Sequence, residues 1–266
     1  SHPCYKRKST RRHHLDSLMN FKKLIYPMGL EEFLLKYNNN ESFIIKGHKD
    51  KFSNLITLEE IESTINNGCN INSPMQIIKD GVRHYYIQQN LKWSQVALQK
   101  SVIKKLLEEK HSFMMMNQTQ INKKVSELID TIESTFTNSH ADLHLYISPK
   151  TASTGYDAHR DRPQHKIYMQ IIGMTHWKIY KIIKEMLEET IAFEEKDEKV
   201  YLEEEKNFTL EPGDLLYMPS GTFHKVRNEE GPRVSFSIPF VIEEKKSEYM
   251  DRTYIPFKEL FDTSRE

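Results

Sequence analysis

Ahead of about residue 141, apolar residues recur at three- and four-residue spacings. The runs "GLEEFLLKY" (29–37), "TLEEIESTINNG" (57–68) and "VSELIDTIESTF" (125–136) each gather them on one stripe of a helix. Thr57 followed by Glu60 has capping-box form, and Gly68 suits a C-terminal stop. Residues 94–116 read as another helical stretch. Two short β-rich runs interrupt this pattern, "SFIIKG" and "MQIIKDGVRHYYI", the second with a turn at Asp80-Gly81.

From residue 142 the period shortens to two. "DLHLYISP", "KIYMQIIGMTHWKIYK", "KVYLEEE", "DLLYMPS", "FHKVRN" and "RVSFSIPF" read as short strands separated by Pro, Gly, Asn and Asp turns. The pattern predicts an α+β protein. A basic tail (1–20) and a mainly helical N-terminal region (21–141) precede a small barrel or sandwich (142–245), and a tail segment (246–266) follows. Lys166, Tyr168 and Gln170 share one strand face against Ile167, Met169 and Ile171. Arg233, Ser235 and Ser237 likewise oppose Val234, Phe236 and Ile238. A barrel with helices outside and a polar lumen fits these faces. An apolar interior with a polar exterior fits each strand equally well.

Composition narrows the classes. In 266 residues, 38 Lys and Arg balance 38 Asp and Glu, so no overall field favours nucleic acid or an anionic membrane. The basic start, "SHPCYKRKSTRRHH", lacks the apolar stretch of a secretory signal and reads as a flexible end, with a nucleic-acid-binding arm as the lesser reading. No run approaches the ~20 apolar residues needed to cross a bilayer. Two cysteines, Cys4 and Cys69, are too few for a disulfide framework and suit a reducing cytoplasm. The segment 185–205 carries ten Asp/Glu against two Lys. It is expected to be a solvated insertion between strands, with attraction of a cationic substrate as the sharper alternative.

In "GYDAHRDRPQHKIY", His159 and Asp161 stand two apart, so an extended chain points both to one side. His224, in "LEPGDLLYMPSGTFHKV", follows a turn into a new strand and suits a third ligand. Two histidines and one carboxylate with three open positions form the facial triad of non-haem Fe(II) oxygenases. His165 and His176 lack a carboxylate two residues away and rank as structural. Arg233 and Ser235 could together grip a carboxylate, or could belong to a polar surface.

The chain from about residue 28 resembles the JmjC-type cupin family of Fe(II)- and 2-oxoglutarate-dependent oxygenases, closest to its ribosomal-protein hydroxylase (cupin-4-like) branch. "GLEEFLLKYNNNESFIIKG" and "FSNLITLEEIESTI" are similar to the branch's N-terminal region, and "LYISPKTASTGYDAHRD", "YMQIIGMTHWKIY" and "LEPGDLLYMPSGTFHKV" to its barrel motifs. The resemblance implies a double-stranded β-helix (jelly-roll) with His159, Asp161 and His224 as metal ligands. It further implies Fe(II) and O2 as cofactors and 2-oxoglutarate as cosubstrate. Where the family usually places a Lys or Arg for the cosubstrate carboxylate, this chain has Thr175. Arg233 with Ser235 is the expected replacement, Lys166 the runner-up, and Tyr146 and Thr175 complete the cosubstrate candidates. Family members of this branch continue into C-terminal helices and a winged-helix module, whereas this sequence ends soon after the strands.

The activity so implied is a dioxygenase that hydroxylates an amino-acid side chain, in a protein or peptide or as a free or carrier-bound amino acid. An intact triad favours hydroxylation over halogenation. The alternatives are a non-catalytic cupin that binds a metal or small acid, and an interaction module using the helical half. A cytoplasmic protein with an amino-acid, peptide or protein substrate is expected, with neither a membrane nor nucleic acid as partner; a homodimer stays open.

Overall fold

The structure, a computed structural model, describes residues 20–66, 75–79, 82–85, 89–90, 95–96, 100–149, 154–155, 157–228 and 231–244. The basic tail ahead of residue 20, the segment 246–266, Cys69, Gly68 and the Asp80-Gly81 turn lie outside the described residues.

The helices form where the 3.6-residue stripe predicts them. Helix α1 spans Leu30–Asn38 and α2 Leu58–Asn66, each with two glutamates in its first turn, where they complement the helix dipole. The capping box is present: Glu60 N–H donates to Thr57 Oγ1 and Thr57 N–H to Glu60 Oε1, both at 3.1 Å. Helix α3 spans Lys100–Glu108 and α4 Lys123–Thr135. Asn122 caps α4 by accepting from Val125 N–H at 2.8 Å, and its amide donates to Leu55 O and Glu60, tying the starts of α2 and α4 together.

One expectation fails here. The helical stretch predicted over 94–116 ends at Glu108, and Ser112–Met115 is a strand with all four residues buried. A strand covered on both faces shows no alternation, so periodicity cannot separate it from a buried helix end.

The strands, in chain order, are β1 (Phe43–Ile45), β2 (Met75–Lys79), β3 (Val82–Tyr85), β4 (Gln89–Asn90), β5 (Gln95–Val96), β6 (Ser112–Met115), β7 (Ser139–Ala141) and β8 (His144–Ser148). They continue as β9 (Thr154–Gly155), β10 (His165–Ile172), β11 (Thr175–Ile182), β12 (Leu202–Leu210), β13 (Leu215–Met218), β14 (His224–Asn228) and β15 (Arg233–Ile242). A nine-stranded sheet runs β1-β13-β10-β15-β8-β6-β2-β3, with β7 also on β15; a four-stranded sheet runs β12-β11-β14-β9. Strands β8 to β15 divide four and four between these sheets, the double-stranded β-helix. Five strands ahead of residue 142 extend the large sheet, so the N-terminal region supplies strands as well as helices.

The faces of the large sheet resolve the ambiguity left by the sequence. Ile167, Met169, Ile171, Val234, Phe236 and Ile238 pack outward against Phe21, Ile25, Phe33, Val125, Ile129 and Ile132 in one core. Each such side chain contributes about 1.5–3 kcal/mol on burial. The opposite face turns Lys166, Tyr168, Arg233 and Ser237 into a cavity between the sheets. An apolar cluster that includes Trp177, Ile179, Leu216 and Met218 lies beside it, with Tyr168 and Trp177 edge to face at 4.6 Å. The lumen therefore sets these polar side chains beside apolar walls from Ile78, Trp177 and Val226.

Two further contacts fix the frame. Gly173, in the β10–β11 turn, has φ +71°, and a Cβ there would lie 2.0 Å from Pro232 O, so only glycine fits. Asp214, almost fully buried, accepts from Lys46 Nζ at 2.7 Å and from the Gly47 and Glu211 amides, fastening β1 to the barrel. Within the insertion between β11 and β12, helix α5 (Glu195–Tyr201) forms, and most of the acidic side chains are exposed.

Candidate metal centre

The segment carrying His159 reaches the site by backbone pairing. His159 N–H donates to His224 O at 3.0 Å and His224 N–H to His159 O at 2.9 Å. This antiparallel pair lies outside any longer strand on the His159 side, and it sets the two imidazoles 4.3 Å apart. Asp161, two residues on, faces the same point: the ligand atoms of His159, Asp161 and His224 all lie within 4.8 Å of one another. Their spacing thus does what the sequence predicts.

Each histidine is held in one tautomer. Nδ1 of His159 donates to Asp157 O at 2.8 Å and Nδ1 of His224 to Thr222 O at 2.9 Å, which assigns the proton to Nδ1 and leaves each Nε2 lone pair for the centre. Burial pushes the His224 pKa well below its ordinary value, with the neighbouring His159 and Lys166 adding to this, so the ring is neutral at pH 7. Burial alone would raise the Asp161 carboxyl, but Lys166, then His224 and His159, outweigh it and hold the group below the usual carboxylate range. A neutral His224 imidazole and an ionised Asp161 carboxylate are protonation states that suit a divalent ion. The donor set fits a 2-His-1-carboxylate metal.

The other candidates separate into groups. Arg233, 4% exposed, donates from Nη1 to Tyr168 Oη at 3.0 Å and from Nε to Ser148 Oγ at 3.2 Å, and its guanidinium lies 5.2 Å from the Tyr146 ring. No carboxylate pairs with it among the described residues. Lys166 sits at the metal end, with Nζ 2.6 Å from Asp161 Oδ2. Tyr146 lines the cavity.

Ser235 and Thr175 depart from the expectation that they hold cosubstrate. Both hydroxyls donate to Gln170 Oε1 at 3.0 Å, and Thr175 Oγ1 also accepts from Trp177 Nε1. Gln170 completes this closed network by donating to the Ile172 and Gly173 carbonyls. Neither hydroxyl proton is left for a ligand. His165 and His176 bond to Tyr217 Oη and Thr209 Oγ1, away from the centre, in structural positions.

Asn228 is the residue that sequence reasoning missed. It is 1% exposed and lines the cavity, and among the described residues neither atom of its amide has a partner; Ser237 Oγ is likewise unpaired there. Buried polar groups without partners mark a place for a polar ligand. Counting by twos along "FHKVRN" from His224 reaches Asn228 and would have found it.

A His-Asp-His cluster able to hold a metal ion, at one end of the lumen of a double-stranded β-helix, is a cupin arrangement. The profile of the JmjC domain matches residues 114–248, just over half of the chain, and the chain belongs to that family. The Dictyostelium discoideum protein named bifunctional lysine-specific demethylase and histidyl-hydroxylase NO66 is 25% identical over 211 residues, 76% of this chain and 38% of that protein. Ribosomal oxygenase 2 of Mus musculus is 21% identical over 236 residues, 84% of this chain and 46% of its own. Among solved structures, Escherichia coli ribosomal oxygenase YcfD matches with TM-score 0.55 and 15% identity over 82% of this chain and 52% of its own. YcfD in complex with cobalt and 2-oxoglutarate matches with TM-score 0.57 and 14% identity, over 82% and 53%. The chain spans about half or less of the length of these proteins, and its likeness to the solved structures is one of fold. Among the described residues no helix is long and apolar enough to cross a membrane.

Proposed function

We propose that this protein is an Fe(II)- and 2-oxoglutarate-dependent oxygenase that hydroxylates an amino-acid side chain within a protein or peptide. One observation carries the reading: a buried arginine with no carboxylate partner shares a lumen with a convergent His-Asp-His triad. A buried cation is costly unless paired, so Arg233 is built to meet an anion.

Bound Fe(II), 2-oxoglutarate and O2 would supply oxidative decarboxylation to succinate and CO2, coupled to insertion of one oxygen atom into a substrate C–H bond. The protein's part is placement. His159, Asp161 and His224 would hold the ion. Arg233, aimed by Tyr168 and Ser148, takes the distal carboxylate of the cosubstrate in place of the basic residue absent at Thr175. Tyr146 walls the cavity, and the apolar cluster around Trp177 excludes water from its side. A polypeptide substrate is supported by the names of the relatives, which specify histidyl-hydroxylase and ribosomal oxygenase activities.

The test is incubation with Fe(II), 2-oxoglutarate, O2 and candidate basic or ribosomal polypeptides. Iron-dependent succinate formation matched by gain of one oxygen atom in the polypeptide is expected. Binding of metal and 2-oxoglutarate with no succinate under any substrate would instead indicate a cupin that binds without turnover.

A further inference from the structure

Among the described residues, Lys166 is the lumen cation whose charge is already engaged. It is only 12% exposed on its side chain, and Nζ lies 2.6 Å from Asp161 Oδ2. That same oxygen is the one 3.8 Å from His224 Nε2, so the ammonium occupies the carboxylate oxygen turned toward the imidazoles. Its position separates it from Arg233. Lys166 pairs in register with Pro239 on β15, six residues along from Arg233, or about 20 Å at the backbone at ~3.3 Å per residue. The two cations serve opposite ends of the lumen and do not substitute for each other.

We propose that Lys166 is a positioning residue that makes metal and dicarboxylate bind as a pair. This rests on the Fe(II)/2-oxoglutarate reading above. The ammonium holds the Asp161 oxygen turned toward His224, so an incoming ion must displace the ammonium to use that oxygen. It also opposes the ion by charge. The charges of Asp161 and Lys166 cancel, so a divalent ion entering alone brings its charge unopposed into a half-buried site. An anionic chelator arriving on the ion removes that imbalance and gains the nearby ammonium as a counter-charge. Lys166 therefore weakens binding of metal alone and strengthens binding of the dicarboxylate to the metal-loaded protein.

The opposite signs make the test specific. Calorimetric titration of the full chain with Mn(II), followed by anaerobic titration of the Mn(II)-loaded protein with 2-oxoglutarate, reads both constants without turnover. Lys166→Met is expected to tighten Mn(II) binding about tenfold and to weaken 2-oxoglutarate binding about tenfold. Lys166→Gln should shift both in the same directions, and Lys166→Arg should restore values close to wild type. A purely structural lysine would weaken both constants on removal. Mn(II) affinity unchanged or lower in both Met and Gln variants, or an unchanged 2-oxoglutarate constant, overturns the proposal while leaving the metal centre standing. Failure of the wild-type protein to bind Mn(II) overturns the metal reading itself, and this proposal with it.

Discussion

Among the described residues Arg233 donates only to hydroxyls, those of Tyr168 and Ser148, and it shares the lumen with the triad. A guanidinium in that state can accept a carboxylate in a bidentate fork with little rearrangement. Arg233→Ala is therefore expected to raise the 2-oxoglutarate dissociation constant at least about tenfold, the low end of losing a charge-assisted pair. Metal affinity should stay near wild type, because Arg233 touches no ligand; parallel titrations with Mn(II) and then 2-oxoglutarate check both. A second residue reports through pH. His165 lies between Tyr217, Tyr37 and Phe240, and burial lowers its pKa from the ordinary 6.5. Below that value the unfolded chain takes up a proton that the folded protein resists, so folded stability falls as pH drops through the mid-sixes toward the folded pKa. His165→Phe should reduce this slope in denaturant titrations at pH 7.5 and 5.5. It should not abolish it, since His224 contributes in the same direction. The triad was legible because a two-residue spacing and a turn into a strand are local. The partners of Arg233 were not, because Ser148 stands 85 residues away and Tyr168 65, and only strand register brings them together. Thr175 is the opposite case: Gln170 and Trp177, which consume its hydroxyl, stand only five and two residues away, across the β10–β11 turn.

Strand β10 carries two opposed duties, and its alternate residues should respond differently. Ile167, fully buried in the helix-covered core, is expected to cost about 2–5 kcal/mol on truncation to alanine, from lost burial and the cavity left behind. Tyr168→Phe, on the lumen face, should change stability by no more than about 1.5 kcal/mol while loosening Arg233 and weakening 2-oxoglutarate binding. Chemical denaturation of both variants beside cosubstrate titration separates the two faces. Alternation of this kind made β10 and β15 readable, down to which residues share a face. It failed at β6, where Phe113, Met114 and Met115 are buried on both sides and leave no period. Helix starts were readable where a side chain closes on its own backbone, as at Thr57 and Glu60. The cap of α4 reaches further, since Asn122 also bonds Leu55 O and Glu60. Asn122→Ala is accordingly expected to cost about 1–2 kcal/mol, at the upper part of the range for helix caps, measurable as a lowered melting temperature.

The boundary near residue 142 marks a change of period, and the packing crosses it. Strand β1 pairs with β13, β6 and β2 extend the sheet beyond β8, and Asp214 is held by Lys46 and the Gly47 amide. The outer face of the barrel is covered by Phe21, Ile25, Phe33, Phe43, Phe52 and Ile132, all buried and all from the N-terminal region. Burial of each such side chain contributes about 1.5–3 kcal/mol, so six together match a net stability on the order of 5–15 kcal/mol. Removing them would also uncover Ile167, Met169, Phe236 and Ile238 as one apolar sheet face, and expose the unpaired edge of β8. A fragment beginning at residue 142 retains His159, Asp161, His224, Lys166 and Arg233, every residue assigned to metal or cosubstrate. It is nevertheless expected to aggregate and to bind neither ligand, because the lumen's geometry depends on a sheet whose other face has lost its cover. The fragment 20–266 should remain monodisperse on size exclusion and titrate like the whole chain. A soluble 142–266 fragment with wild-type Mn(II) affinity would show instead that the barrel holds its own shape and that the N-terminal region is only an outer layer.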